Sequence, residues 1–480
     1  MAEAVALKEA RFYMRNVRTR MPFRYGAATL VSVPILHVGV TAELGDSTPA
    51  RGWAADILPP KWFDKDPAKE YGENVADLIA MARFAEEAYG EASRRPRSLF
   101  ALWRDGYEGT LEAGRAAGLN RLTAGHGSSL FERALIDAIG TARGLSYHQL
   151  LRRDALGIEL SALHEELRGI PVSRAVPEQP LEFAAVRHTV GMADPIRTGE
   201  IPADERLDDG LPQALEEYIG QGIRYLKVKL DGVLDSDLGR LRQIAEVLGR
   251  DREYSVSLDG NEQYGHPDEL LELMEAMRGD HRLRGLYGSV IYIEQPLDRG
   301  RALDGDLAGG IRALSGLKPV VIDESDDALD SFARAAGVGY NGVSAKNCKG
   351  LIKAIANRAL ILKLSAESGA PFFMTAEDLM NLPVVPLQQD LAQVAALGID
   401  HVERNGHHYV RGLDHLSEAE RTGCEQVHAG LYRREGGMTR LDVRDGRIDL
   451  RSLQVPGLGV GVRVDRETMV PLDQWRFDSL

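Results

Sequence analysis

Cysteine is almost missing from this 480-residue chain, which has only Cys348 and Cys424. No CxxC and no mixed Cys/His spacing occurs, so neither a zinc site nor a disulfide framework is expected. A reducing, cytoplasmic compartment follows as the expectation. A basic excess is lacking too: 58 Lys and Arg face 72 Asp and Glu, for a net charge of −14. A general nucleic-acid binder releases counterions with a basic surface, so no nucleic-acid partner is expected. Bulk charge does not exclude a small anionic substrate, because clustered lysines and a metal reverse the field inside a pocket. No run of about 18 apolar residues exists, and no membrane span is expected. The first ten residues lack the basic-then-apolar plan of a signal peptide. Low-complexity tracts are absent. Gly457-Leu-Gly-Val-Gly461 is no dinucleotide fingerprint, since no helix is predicted after it.

What is present is an ordinary globular composition, 44% apolar and 27% charged, on a chain long enough for more than one domain. Between Arg224 and Asn347 five short apolar runs each end in ionisable residues. Lys227-Val-Lys229 ends the first, Asp259-Gly-Asn261 the second, Glu294 the third, Asp323-Glu324 the fourth and Lys346 the fifth. The runs recur about every 25–35 residues with helix-like sequence between them, the period of a β/α unit. In a parallel barrel all strand C-termini open onto one face, and that face carries the chemistry.

Upstream, Arg11–Arg18, Ile35–Glu43 and Arg51–Ala54 read as short strands of an antiparallel meander, with a Pro/Gly loop at Met21–Ala27 and an aromatic, Pro-rich loop over Trp53–Phe63. That second loop is either a surface linker or a substrate lid. Helices are predicted over Asn74–Ala88, Ser98–Ala117 and Leu130–Arg143. Ser129-Leu-Phe-Glu132 has the spacing of a capping box, which makes Gly125–Ser129 a helix entry. A boundary falls near Ile170–Phe183, where periodicity is lost. The first barrel strand is Arg187–Gly191, the seventh Pro371–Thr375, ending near Glu377-Asp378, and the eighth His401–Asn405, followed by His407-His408. After Gly430 the sequence reads as a hairpin over Leu441–Leu450 with an Asp-Gly turn. The division expected is a capping domain over 1–150, a barrel over 151–429 and a returning segment over 430–480.

Residues i and i+2 of a strand face one side, so Lys227 and Lys229 point together. A lone KxK is an ordinary solvated strand end. Here the segment is otherwise apolar, and Asp259 and Asn261 repeat the spacing one strand later. Three converging buried carboxylates, Asp259, Glu294 and Asp323, would repel one another unless a divalent cation sits among them. Oxygen ligation of this kind suits Mg²⁺. The bland alternative is that each acid bonds a helix N-terminus. Paired histidines such as His407 and His408 are commonly solvated.

These residues, taken in order, resemble the enolase superfamily, in the muconate-lactonizing-enzyme-like branch of the mandelate racemase/muconate lactonizing enzyme family. The KxK of the second barrel strand matches Lys227 and Lys229. The Asp, Glu and Asp of the next three match Asp259, Glu294 and Asp323, and the lysine of the sixth matches Lys346. Pro456-Gly-Leu-Gly and the Pro22–Ala27 loop match its terminal segment and capping loop. The histidine that the mandelate-racemase-like branch carries on the seventh strand is replaced here by Thr375, Glu377 and Asp378.

The resemblance implies an α/β fold, a modified TIM (β/α) barrel under an α+β cap built from both chain termini. It implies Mg²⁺, with Mn²⁺ as an alternative, and removal of the proton α to a carboxylate of a small substrate through an enediolate. Lys229 and Lys346 would be acid/base groups, Lys227 would bind the carboxylate and lower the Lys229 pKa, and Asn261, Glu324, Glu377, His407 and His408 would stand behind them. Racemisation, epimerisation or cycloisomerisation is expected, with β-elimination on the same site and a non-catalytic binding barrel as alternatives. A homo-oligomer is expected.

Overall fold

Alternation of apolar and polar residues from Arg11 onward builds the first strand, and a computed structural model shows how far it runs. The structure describes residues 2–25, 28–249 and 253–480. Strand β1 (Ala4–Tyr25) pairs antiparallel with β2 (Ala28–Leu44), which pairs with β3 (Pro49–Ile57). All three are longer than the sequence pattern indicates. A ladder keeps satisfying backbone groups past the point where side chains alternate, so only the half-buried middle was legible. Most of the expected Met21–Ala27 loop is strand, and its tip, Gly26 and Ala27, lies outside the described residues. The β1–β2 register breaks between Arg18 and Phe23, across Pro22, which has no N–H to donate. Two-residue strand β4 (Arg97–Ser98) edges β1.

Helices α1 (Tyr71–Ala92), α2 (Leu99–Ala116) and α3 (Arg121–Arg143) cover this sheet. Helix α3 begins nine residues before the expected Leu130. Its cap is Asn120, whose Oδ1 accepts from Thr123 N at 2.9 Å. Gly125–Ser129 is therefore helix interior, not helix entry. A Cβ on Gly127 would lie 2.3 Å from Met81 O, so glycine there permits a close crossing with α1. Glu132, expected in a capping box, instead accepts from Ile352 N at 2.5 Å, at the start of a barrel helix, Leu351–Ser368. Gly144 ends α3 with φ of 65°.

Eight parallel strands follow: β5 (Phe183–Val190), β6 (Tyr225–Lys229), β7 (Ser255–Asp259), β8 (Val290–Glu294), β9 (Val320–Ile322), β10 (Gly342–Ala345), β11 (Phe373–Ala376) and β12 (His401–Glu403). Strand β12 pairs with both β11 and β5, which closes the barrel. The central strands are short, largely apolar runs because both faces of each are covered.

Beyond the barrel, β13 (Tyr432–Glu435) and β14 (Met438–Leu441) form a hairpin across Gly436-Gly437, with φ of 57° and 82°. The expected Asp445-Gly446 turn is formed, with φ of 49° and 71°, and Arg444 and Arg447 exchange two 2.9 Å backbone bonds around it. Its arms do not continue as a hairpin. Strand β15 (Arg447–Asp449) pairs instead with Phe183–Ala185, the part of β5 that precedes its ladder with β6. Those backbone groups would otherwise lack partners. Strand β16 (Val470–Pro471) pairs with β1. Among the described residues no helix is long and apolar enough to cross a membrane.

Candidate active site

The C-terminal ends of the barrel strands gather an unusual density of buried charge. Lys227, 2% exposed, is surrounded by carboxylates: Glu294 Oε1 at 2.6 Å, Glu377 Oε2 at 2.8 Å, Asp259 Oδ2 at 3.0 Å and Glu403 Oε2 at 3.1 Å. Lys229, two residues on, reaches Asp259 Oδ2 at 2.5 Å and keeps 15% of its side chain exposed. Lys346 donates to Asp323 Oδ2 at 2.5 Å and Glu377 Oε2 at 2.7 Å, and its Nζ lies 4.9 Å from the centre of the Trp62 ring. Lys227, Lys229, Asn261, Asp323, Glu324 and Lys346 all line one cavity of ≈ 50 Å³. The loop Leu58–Phe63, which follows β3, supplies Pro59 and Trp62 to its wall, while Trp53 remains on β3 and packs on Gly39 and Tyr13. Phe23, from the end of β1, also lines the cavity and packs on Tyr409, with ring centres 4.3 Å apart.

Asn261 has a left-handed backbone, φ 43°, which brings its N–H to Asp259 Oδ1 at 2.8 Å and its side-chain amide to Glu324 Oε1 at 3.3 Å. Each of Asp259, Glu294, Asp323 and Glu377 is at most 2% exposed. Ligand oxygens of Glu294, Asp323 and Glu377 lie within 4.8 Å of one another, whereas Asp259 turns an oxygen to the two lysines. Glu294 Oε2 is buried with no hydrogen-bond partner. Burial, reinforced by Asp259 and Glu377, pushes the Glu294 carboxyl well above its ordinary range. An orphaned oxygen in a carboxylate cluster is what a bound cation would satisfy.

The expected lowering of Lys229 is not seen. Burial, the largest effect, and the Lys227 charge pull its ammonium down, but Asp259, Glu403 and Glu294 together outweigh them and the net direction is up. Lys227 and Lys346 are likewise lowered by burial and raised further by their carboxylates, ending well above the ordinary value. Glu377 stays ionised: burial opposes this, but Lys227, Lys346 and Arg187 together hold it well below the usual range.

His407 and His408 do not join this centre. They pack with His188 and Tyr218, where His188 Nδ1 and His407 Nε2 are 3.3 Å apart and Tyr218 Oη and His408 Nδ1 2.5 Å apart. Burial and the Arg404 charge lower His407 to about 3, and burial drives His408 well below its ordinary value. Both are neutral at working pH. Their tight turn, Gly406–Tyr409, carries them behind the strand end.

Several site residues had no legible signal. Arg187, on β5, donates to Glu377 Oε1 at 2.7 Å and Thr375 Oγ1 at 2.8 Å. Thr189 Oγ1 and Asn405 Nδ2 donate to Glu403 Oε1 at 2.5 and 3.0 Å. Lys349, one short turn beyond Lys346, reaches Asp323 Oδ1 at 3.0 Å and Ser344 O at 2.6 Å. Glu403 could have been found by the rule used for Glu294, an acid closing an apolar strand. The others required knowing which strands close the barrel.

With this geometry in view, comparison with known proteins is informative. No family model and no curated protein matches the sequence. Solved structures do match, over nearly the whole chain. An N-succinyl Arg/Lys racemase from Bacillus cereus superposes with a TM-score of 0.62 at 15% identity, covering 96% of this chain and 96% of its own. The fold is that of the enolase superfamily. A mandelate racemase/muconate lactonizing protein from Herpetosiphon aurantiacus is similar with a TM-score of 0.57 at 16% identity, covering 96% of this chain and 99% of its own. A dipeptide epimerase from Methylococcus capsulatus, complexed with Mg and the dipeptide L-Arg-D-Lys, gives 0.57 at 20% identity, with 95% of this chain and 99% of that one covered. A barrel plus a separate antiparallel sheet is thus an architecture that this chain shares with these solved structures.

Proposed function

We propose that this protein is a metal-dependent acid/base enzyme that removes the proton α to a carboxylate and returns it, as a racemase, epimerase or cycloisomerase. The observation that carries this reading is the placement of two lysines. Lys229 ends the second strand of the barrel and Lys346 follows the sixth, half-way round an eight-strand ring, and both line one cavity. A substrate carbon held between them meets an amine on each face. Asp259, Glu294 and Asp323 would hold the cation, as the resemblance implies; the oxygens that already lie within 4.8 Å of one another are those of Glu294, Asp323 and Glu377. A Mg²⁺ held there would supply positive charge where negative charge develops on the substrate carboxylate.

The chain's own groups do the rest. One lysine, deprotonated, accepts the α-proton, and its opposite, protonated, delivers a proton to the other face. Asp259 and Asp323 help hold Lys229 and Lys346 above their ordinary values, and a cation on those acids would weaken that hold and favour basic service. Lys227, locked by four carboxylates, serves as fixed positive charge and not as the base. Trp62 excludes water above Lys346.

A second reading, β-elimination, is favoured by one asymmetry. Lys346 is held by two carboxylates and Lys229 by one, and elimination needs only one mobile lysine. Incubation in D₂O with Mg²⁺ and a library of N-acyl amino acids, dipeptides and hydroxy acids tests both. Deuterium entering the α-carbon supports proton abstraction. Retention of configuration-scrambled substrate marks an isomerase and loss of water a lyase. No exchange with any member of the library sinks the proposal.

A further inference from the structure

Lys229 and Lys346 differ in what braces the chain beside them. The segment after Lys229 is braced within the barrel: Leu230 N donates to Asp259 O and Asp231 N to Asp237 Oδ1, both at 2.9 Å. The segment after Lys346 is braced by the cap, the layer of β1–β3 and α1–α3. Lys346 is followed by one short turn, Asn347–Lys349, then by Gly350 and the helix Leu351–Ser368. Lys349 N donates to Lys346 O at 2.9 Å and Gly350 N to Asn347 O at 3.0 Å, so the turn runs without a break from the lysine to the glycine. Against its far end stands Glu132 of α3, 1% exposed. Glu132 Oε1 accepts from Ile352 N at 2.5 Å, and a Cβ on Gly350 would lie 3.1 Å from Glu132 Oε2. The Ile352 N–H belongs to the first turn of its helix and has no partner within it. Burial pushes the Glu132 carboxyl up to about 7, while the Ile352 and Leu351 N–H groups and Arg133 pull it back. A buried carboxylate is expensive to keep, and an apolar side chain would fill the same space. Helix α3 is itself anchored: Arg133 pairs with Asp56 on β3, and Asp56 Oδ1 accepts from Asn381, beyond β11, at 2.9 Å.

We propose that Glu132 is a positioning residue for Lys346: by capping the helix that follows, it makes the cap set the place of one acid/base lysine and leaves the other to the barrel. The inference rests on the acid/base reading above and adds which part of the chain aligns each lysine. The cap then holds Lys346 from two sides, with Trp62 over its Nζ and Glu132 behind its backbone. Taking the acceptor away leaves the N–H of Ile352, a fully buried residue, with nothing to meet it, and the turn that begins at Lys346 is free to shift. A misplacement of about 1 Å at a reacting group costs on the order of 10²-fold in rate. Lys229, braced through Asp259 and Asp237, does not share that dependence.

Glu132→Leu and Glu132→Gln, in the full chain, test this in the D₂O assay. Lys346→Ala first marks the stereoisomer that Lys346 serves. From that isomer Glu132→Leu should exchange roughly 10–100-fold more slowly than wild type, and from the other within about twofold. Glu132→Gln, whose side-chain carbonyl still accepts from Ile352, should stay near wild type on both. Amide hydrogen exchange read by mass spectrometry follows the brace without any substrate. In Glu132→Leu, peptides over 345–353 should exchange faster and those over 228–237 should not change. Should Glu132→Leu fail to fold, Glu132→Asp, one methylene short of Ile352, serves for the same two comparisons. Equal losses from both stereoisomers overturn the proposal, because a general loss of structure would produce them. So do an unchanged 345–353 segment and a Glu132→Gln variant as slow as Glu132→Leu. A wild type that exchanges no α-proton sinks the acid/base reading and the role of Glu132 with it. A wild type that exchanges, beside a folded Glu132→Leu that loses nothing, sinks the role of Glu132 alone.

Discussion

Two clusters of titratable groups sit side by side at the mouth of the barrel, and they solve burial in opposite ways. Around Lys227, Lys229 and Lys346 the chain brings carboxylates to within about hydrogen-bond distance of every ammonium, and the charges persist out of water. Around His188, Tyr218, His407 and His408 no carboxylate among the described residues is hydrogen-bonded to an imidazole, so burial wins and the rings are neutral. Paired charge is expensive to assemble and is kept where a proton or a cation is to be handled. Unpaired imidazoles are packing and donor groups. The distinction is not one of residue type, because histidine is the better base in water at pH 7.

The sharpest way to break this contrast is to remove a base from each cluster. Lys229→Ala and Lys346→Ala should each lower α-proton exchange by roughly 10²–10⁴-fold, the range for a positioned acid or base. His408→Phe should leave exchange within a few-fold of wild type. Equal losses in all three, read by the same D₂O assay, would erase the difference between the clusters. In a racemase, the two lysine variants should block exchange from opposite stereoisomers.

Lys227→Met strips the ammonium from four buried carboxylates. A loss of about 3–5 kcal/mol in urea unfolding is expected, the cost of breaking a buried pair from one side. A change under 1 kcal/mol would mean that the acids compensate by themselves. Divalent binding separates the clusters next. By calorimetry Glu294→Gln should weaken Mg²⁺ binding, since Glu294 offers an unpartnered oxygen, while His407→Phe leaves it unchanged.

The smallest effect is on acid stability. The folded His407 value, about 3, is below its unfolded one, so between about pH 6.5 and 3 the unfolded chain binds more protons and stability falls as pH drops. Each such histidine contributes a slope of at most about 1.4 kcal/mol per pH unit. His407→Phe should flatten the acid limb of a melting-temperature profile. The lysines act at the other end: values raised by their carboxylates give stability that is complete below their unfolded value and is lost only as pH rises through the folded one.

Much of the first cluster was readable from the chain. Asp259, Glu294, Asp323 and Lys346 each close or follow an apolar run, and a period-two strand tells which neighbour shares a face. Arg187 was invisible because it sits mid-strand, and its contacts come from strands nearly two hundred residues away. The start of α3 was misread because Gly125 and Gly127 look like loop residues. The reason for Gly127 in a helix, a close crossing at Met81, lies on another element. The direction of the Lys229 shift was misjudged for a similar cause. The like charge two residues away was evident in the sequence, whereas Asp259 became the stronger neighbour only once β6 and β7 were in register.

Local order by itself thus determined the strand–helix rhythm, the strand-end acids and lysines, and the Asp445-Gly446 turn, because each depends on residues within one turn or one strand. Tertiary structure alone decided that β12 closes on β5, that Arg187 and Lys349 join the centre, and that His407 and His408 leave it. Those outcomes depend on which distant groups share a low-dielectric interior, where a charge at 3 Å outweighs everything its own segment can offer.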